Sequence, residues 1–248
     1  MFSDHCHRYN LVMNFKVLIL LLLQATVTSS ASAAEPPITA VVFAPNGESV
    51  IAASQSGLQI YGWPDLQRRK TIECEAANLH CVAFSPDGKH LTVGGGTPSE
   101  DGSVEVFSWP TCQRVSLHIE HVDSVQSVAW QSSTSLLSAG IDRQIKIFDL
   151  VPSGNRSKTT LVSPQPTGKE NNQTFDGHSR SVSDLCLLDD RQTFVSAGVD
   201  QSLRVWDIES GQLVRSLNQH TGAVHDLALR PSSEGLPMVA SAAADRTI

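Results

Sequence analysis

Residues 176–207 read DGHSRSVSDLCLLDDRQTFVSAGVDQSLRVWD, and this stretch decides the fold. Three short runs within it carry alternating or β-branched apolar residues, and Gly, Asp and Ser separate them. That pattern is typical of β-strands joined by tight turns. A fourth run of the same kind, 212–217, follows the Glu209-Ser210-Gly211 turn. The stretch and its extension therefore predict one unit of four strands.

The unit recurs along most of the chain at a period of a little over forty residues. Each copy has a polar turn position before its third strand, and successive turn positions are 46, 41, 58 and 45 residues apart. These positions are Gln55, Asp101, Asp142, Asp200 and Asp245. The longest interval contains residues 152–174, which are rich in Pro, Gly and Ser and poor in large apolar side chains. We predict a flexible surface loop there, because such a segment buries too little apolar surface to offset ordering.

Two copies contain a further turn signature, FAPNG at 43–47 and FSPDG at 84–88. Proline presets φ near −65°, and Asn-Gly or Asp-Gly supplies the positive φ that a tight hairpin requires. Each signature therefore predicts a connection between two antiparallel strands. Four strands per unit, repeated radially, is the composition of a propeller blade.

The Gly177-His178 pair, the turn residue Asp200 and the terminal Trp206-Asp207 resemble the WD-repeat β-propeller family. The resemblance covers residues 38–248, with one near-complete unit and several partial ones. It implies an all-β WD-repeat β-propeller over residues 34–248, with about four whole blades and a partial fifth. Ile248 falls at the opening of a strand, so we expect a chain cut off in mid-blade and an incomplete ring.

Histidine, serine and aspartate recur together in three units, and two interpretations of them compete. A nucleophilic triad uses these residue types, but a catalytic site is normally built once, whereas these residues repeat, and no G-x-S-x-G elbow accompanies them. The resemblance implies that they form a structural hydrogen-bond network within each blade. The predicted members are His178, Ser196, Asp200 and Trp206, then His121, Ser138 and Asp142, then His220, Ser241 and Asp245. Phe148 replaces the tryptophan in the second set.

The resemblance implies a non-catalytic scaffold that binds a protein or peptide on the loops around its channel. Candidate contact residues precede the inner strands or the turn aspartate, and they are Asp123, Ser124, Arg180, Ser181, Ser183, Val199 and His225. Nearby Asp184 and Asp226 add acidity that suits a basic partner. The chain lacks metal-ligand spacing, a His-rich cluster and a cofactor motif, so we predict no catalytic residue, no metal and no cofactor. The alternatives are an exported propeller enzyme, a lyase or hydrolase, and the propeller fragment of a multidomain protein.

The first 33 residues predict export. VLILLLL at 17–23 follows Lys16, and an A-x-A site precedes Glu35. This order is typical of a secretory signal peptide cleaved after Ala33 or Ala34, and the apolar run is too short to span a bilayer, which needs roughly 20 residues. The true start is Met1 or Met13, and we expect a secreted or periplasmic protein without a stable membrane span.

The net charge indicates which class of partner is disfavoured, and the cysteines leave the disulfide state open. The formal net charge is −7, which argues against nucleic-acid binding through a basic surface. Removal of the leader leaves four cysteines, which are Cys74, Cys81, Cys112 and Cys186. Export permits disulfides between them, but free buried thiols fit the sequence equally well.

Overall fold

The computed structural model describes residues 36–150, 173–230 and 237–248, which form eighteen β-strands. None of the described residues belongs to a helix with the length and apolarity that crossing a bilayer requires. In chain order the strands are β1 (Ile38–Phe43), β2 (Ser49–Ser54), β3 (Gly57–Gly62), β4 (Arg68–Ile72), β5 (Leu79–Phe84), β6 (His90–Thr97), β7 (Asp101–Ser108), β8 (Arg114–His121), β9 (Val125–Trp130), β10 (Ser135–Gly140), β11 (Gln144–Asp149), β12 (Thr174–Asp176), β13 (Val182–Leu187), β14 (Thr193–Gly198), β15 (Leu203–Asp207), β16 (Leu213–Leu217), β17 (Val224–Arg230) and β18 (Met238–Ala243).

These strands form four antiparallel sheets of four consecutive strands each, followed by the two-stranded sheet of β17 and β18. The first strands of successive sheets contact one another in the order β1, β5, β9, β13 and β17, so they are the innermost strands. The strands β4, β8, β12 and β16 are the outer ones. The predicted all-β propeller with four whole blades and a partial fifth is therefore confirmed, and the described sheets do not close a ring.

Apolar side chains from facing sheets form the core. Ile51 and Leu58 of the first sheet share a cluster with Leu79 and Leu91 of the second. Between the second and third sheets lies a cluster that includes Val104 and Phe148, and another between the third and fourth sheets includes Phe175 and Trp206. The facing sides of neighbouring sheets thus bury each other, which is the reason that propeller units are stable together rather than singly.

Both Pro-x-Gly signatures form the hairpins that their sequences predict. Gly47 and Gly88 adopt φ values of +72° and +70°. Their amides donate to the carbonyls of Ala44 and Ser85, each at 2.9 Å. These turns connect the first and second strands of the first and second sheets.

The predicted loop at 152–174 extends too far. Thr174 begins β12, where Lys146 pairs with Thr174 and Ile145 with Phe175. Phe175 is buried in the core cluster between the third and fourth sheets. Because Phe175 is fixed there, the adjacent Thr174 also pairs with β11. The rest of the predicted loop, through residue 172, and the predicted leader at 1–33 lie outside the described residues.

The four cysteines of the described chain are free. Burial raises the pKa of Cys81 to about 12 and that of Cys186 to about 11. These thiols are therefore protonated at neutral pH and pack as small apolar side chains.

Candidate partner-binding face

One end of the propeller carries most of the contact residues that the sequence predicts. Because strands alternate in direction, the turns between second and third strands lie at the same end as the connections between sheets. We call this end the top face. It comprises residues 55–56, 73–78, 98–100, 122–124, 141–143, 177–181, 199–202, 218–223 and 244–246.

A chain of hydrogen bonds joins the top face of the fourth sheet to its buried strands. The indole Nε1 of Trp206 donates to Ser196 Oγ at 2.8 Å, and Ser196 Oγ lies 2.7 Å from His178 Nε2. His178 Nδ1 lies 3.0 Å from each carboxylate oxygen of Asp200. Asp200 also accepts from the Ser202 hydroxyl at 2.7 Å. These hydrogen bonds hold the connection before β13, which contains His178, against the turn between β14 and β15, which contains Asp200.

The electrostatics of this network assign its protons. Burial lowers the pKa of His178, so the imidazole is neutral at pH 7. The neutral ring donates from Nδ1 to Asp200 and accepts at Nε2 from the Ser196 hydroxyl, which in turn accepts from Trp206. Burial works to raise the pKa of Asp200, but hydrogen bonds from Ser202, His178 and Ser179 outweigh it and hold that pKa at about 2. Every donor and acceptor in the network is used, which disfavours a slipped strand pairing.

The same arrangement recurs in the third and fifth sheets. His121 lies 2.7 Å from Ser138 Oγ and 2.9 Å from Asp142 Oδ2. In the fifth sheet, Ser241 Oγ lies 2.8 Å and Asp245 Oδ2 3.0 Å from the ring of His220. The structure thus brings together every residue of the three sets that the sequence groups. In each set the aspartate also accepts from the amide that follows the histidine, which is that of Val122, Ser179 or Thr221.

The second sheet uses a different residue for the same purpose. Glu75 stands where the third, fourth and fifth sheets have histidine, four residues before the innermost strand. Glu105 Oε1 accepts from the amide of Glu75 at 2.7 Å and from that of Ala76 at 3.3 Å. Glu105 is fully buried, and its second oxygen accepts from Arg114 at 3.2 Å. The sequence-based prediction does not include Glu105, although a single charged residue within the apolar run VEVF at 104–107 is a signal that could have indicated it.

The buried serines are unsuited to nucleophilic catalysis. Ser138 and Ser196 are 0% exposed. The Ser196 hydroxyl is also enclosed between the indole of Trp206 and the imidazole of His178, so no substrate atom reaches it. A nucleophile needs a site about 3 Å away for the reacting atom. The geometry of these serines therefore supports a structural hydrogen-bond network.

The predicted contact residues fall into two groups. Arg180 is exposed on the top face, where Asp123 and Val199 are partly exposed, and His225 is exposed next to that face, at the start of β17. Ser181 is partly buried, and its hydroxyl donates to the Ile141 carbonyl at 3.4 Å. The first four residues remain available to a partner, whereas Ser181 links the third and fourth sheets.

Two serines of the predicted contact set are turned away from a partner: Ser124 is buried, and Ser183 bonds within the propeller. Ser124 is 0% exposed, so its prediction as a contact residue is wrong: the short connection from β8 to β9 turns it inward, while Asp123 stays at the surface. The Ser183 hydroxyl donates to the carbonyls of Ala197 and Val224, and so ties the fourth sheet to the fifth. Thr39 does the same between the first and second sheets, donating to Leu79 at 2.6 Å.

Asp184 joins three innermost strands. Its Oδ1 accepts from the Ser127 hydroxyl of β9 and from its neighbour Leu185, both at 2.8 Å, and its Oδ2 accepts from the Leu227 amide of β17 at 2.8 Å. Burial, with a further contribution from the charge of Asp226, raises the pKa of Asp184 to about 6. Its acceptor positions serve the propeller itself, so of the two acidic residues only the exposed Asp226 presents its charge to a partner.

The sheets and their repeated histidine networks define a β-propeller protein of the WD-repeat class. A family model described as "WD domain, G-beta repeat" matches residues 66–108, 112–149, 169–207 and 211–248. The chain belongs to this family.

Relatives and solved structures are similar over most of the chain. Nuclear distribution protein nudF 1 of Talaromyces marneffei is 27% identical over 175 residues, covering 69% of this chain and 34% of its own length. A guanine nucleotide-binding protein subunit beta of Lymnaea stagnalis is 25% identical over 186 residues, covering 75% of this chain and 50% of its own length. The crystal structure of the RRP9 WD40 repeats superposes with a TM-score of 0.64 at 22% identity, over 79% of this chain and 55% of that one. The chain thus spans half the length of these curated relatives or less.

Proposed function

We propose that the chain is a non-catalytic scaffold that binds a protein or peptide on its top face. The observation that carries this proposal is the setting of Arg180. The side chain is exposed, while the connection beneath it is fixed at both ends: His178 bonds to Asp200, and Ser181 bonds to the Ile141 carbonyl. A cation held on a rigid connection costs little conformational entropy on binding, which favours recognition of another surface.

The charges around Arg180 suit a partner with both acidic and basic groups. His225 and Asp226 are exposed side by side in β17, the innermost strand of the fifth sheet. Asp226 attracts a basic side chain, whereas Arg180 attracts a carboxylate. Such paired charges set orientation and association rate more than they set affinity.

A comparison of two surface variants tests this function. Tagged wild-type protein and the Arg180→Ala/His225→Ala variant are used to recover interacting proteins, which are quantified by mass spectrometry. The matched control is Lys89→Ala/Arg215→Ala, which also removes two exposed cations. Lys89 lies at the end of the propeller opposite to the top face, and Arg215 lies on the outer strand β16. We expect the top-face variant to lose its specific partners by about tenfold or more, as for contact residues worth more than 1 kcal/mol, and the control to retain them. Equal recovery by all three proteins would exclude Arg180 and His225 from the contact.

We also propose that this scaffold acts outside the cytoplasm. The support is the order of charge, apolar run and A-x-A site before Glu35. Expression of the full chain in a secreting host, followed by N-terminal sequencing of the product, tests this location. Export predicts a mature protein that begins at Ala34 or Glu35, and an intracellular product that keeps Val17–Leu23 contradicts it.

A further inference from the structure

The outer strand of the second sheet differs from the other outer strands. β8 has eight residues, and three of its side chains are apolar and exposed: Val115 at 42%, Leu117 at 36% and Ile119 at 58%. They alternate along the strand, and β8 pairs with β7 on one edge only. Among the described residues no other strand pairs with its second edge. A long apolar edge strand is a template for pairing with another chain.

The sequence of β8 is complementary to itself in antiparallel orientation. If two copies align about Leu117, this residue lies opposite its own counterpart, Val115 lies opposite Ile119, and Arg114 lies opposite Glu120. The apolar residues then meet apolar residues, and the opposite charges meet at both ends. Opposed apolar and opposite-charge pairs each stabilise an antiparallel sheet. We propose that two copies of this chain associate by antiparallel pairing of their β8 strands.

Contacts already present in the second sheet define the extent of this pairing. Arg114 keeps its bonds to Glu75 at 2.7 Å and to Glu105 at 3.2 Å, and the register of β8 with β7 shifts at Val115 and at Glu120. Lys146 Nζ donates to the Glu120 carbonyl. The new backbone bonds are therefore made by the regular central residues, 116–119, and Arg114 and Glu120 act only through their side chains at the ends.

The other outer strands oppose the same arrangement. Antiparallel alignment of β4 about its centre places Lys70 opposite Lys70, with Arg68 and Arg69 nearby. Alignment of β16 about its centre places Arg215 opposite Arg215. Like charges directly opposite are destabilising, and charged edge residues are a common protection against edge pairing. β12 has three residues, which is too short for a stable ladder.

Cysteine cross-linking of the full chain tests the register. Residue 117 meets its own counterpart at the centre, and opposed Cβ atoms in an antiparallel pair are about 4.5–5.5 Å apart, close to the distance that a disulfide spans. Leu117→Cys is therefore expected to give a covalent dimer under mild oxidation. The matched control is Val214→Cys, at an exposed residue of β16. The unmodified chain gives the background from its four native thiols. Cross-linking of Leu117→Cys no greater than that of Val214→Cys would overturn the proposed pairing.

Sedimentation equilibrium supplies an independent measurement. Leu117→Lys places two ammonium groups opposite each other, so we expect the dimer dissociation constant to rise by at least about tenfold. Val214→Lys, which adds the same charge on β16, should leave the constant unchanged. A wild-type chain that stays monomeric at about 100 μM, a concentration at which even a weak interface associates, contradicts the proposal. So does an equal effect of the two lysine variants.

Discussion

Trp206 and Ser196 are joined by a hydrogen bond of 2.8 Å that has no counterpart in the third sheet. Phe148 occupies the corresponding position there, and its ring has no polar hydrogen. The histidine-to-serine distance is nevertheless 2.7 Å in both sheets. The two networks therefore share the contact between histidine and serine, and the network of the fourth sheet has an additional donor to its serine, the Trp206 indole.

The first prediction compares the two turn aspartates. Asp200 accepts from His178, from Ser202 and from the Ser179 amide, whereas Asp142 lacks a hydroxyl donor like that of Ser202. We expect Asp200→Ala to lower the free energy of unfolding by about 3 kcal/mol and Asp142→Ala by about 2 kcal/mol. Urea denaturation measures both losses, with exposed Glu209→Ala as the control. Equal losses at the two aspartates would contradict the importance of the additional donors.

The second prediction concerns Glu105. Its carboxylate satisfies the amides of Glu75 and Ala76 and pairs with Arg114. We expect Glu105→Gln to cost about 2 kcal/mol, because the amide nitrogen faces the Arg114 donor, and Glu105→Ala about 3 kcal/mol. Thermal unfolding compares them with Glu73→Gln, a change at an exposed glutamate before the same connection. A Glu105→Gln variant as stable as the wild type would show that the charge is unnecessary there.

The third prediction is a pH dependence that arises from Asp184. The folded pKa is about 6, and the unfolded pKa is close to the ordinary aspartate value of 3.8. Between these values the folded chain binds more protons than the unfolded chain, so stability falls as pH rises through this window. Relative to Asp184→Asn, the wild type should gain about 2 kcal/mol when the pH is lowered from about 7 to about 4.5.

Other titrating groups near Asp184 are retained in that comparison. Asp226 on β17, Cys81 on β5 and Cys186 on β13 all interact electrostatically with the Asp184 carboxylate. They are present in both proteins, as is His178, so the difference between wild type and variant isolates Asp184. Denaturant titrations at several pH values measure it. Parallel pH profiles would show that Asp184 titrates at its ordinary value.

The fourth prediction concerns the hydroxyl of Thr39. It donates to the Leu79 carbonyl at 2.6 Å and to the Ala53 carbonyl at 3.1 Å, and thereby links the first two innermost strands. Thr39→Val keeps the shape and removes the donor, so we expect a loss of about 1 kcal/mol in the free energy of unfolding. Thr71→Val in the outer strand β4 serves as the control, because Thr71 is exposed like Thr39 but its hydroxyl has no hydrogen-bond partner among the described residues. A loss no larger than that of the control would mean that the link contributes nothing measurable.

Sequence alone determined the repeat and its unit of four strands, and the resemblance to the WD-repeat family supplied the members of the three histidine networks. Their signals are local or periodic: apolar alternation marks strands, Pro-x-Gly marks hairpins, and a histidine, a serine and an aspartate recur at nearly fixed offsets. Each network also lies within a single repeat, so similar copies reveal its members. The predicted export at Ala33 or Ala34 stays a prediction, since it rests on residues outside the described chain.

Tertiary structure alone decided which residues connect one sheet to the next. Thr39 lies 40 residues along the chain from the Leu79 carbonyl to which it donates, and Asp184 lies 57 residues from Ser127 and 43 from Leu227. No local pattern encodes such contacts, because they form only when separate sheets pack against each other. The burial of Ser124 and the start of β12 at Thr174 have the same origin. Short-range preferences fix strands and turns, whereas the packing of facing sheets determines which polar groups meet across them.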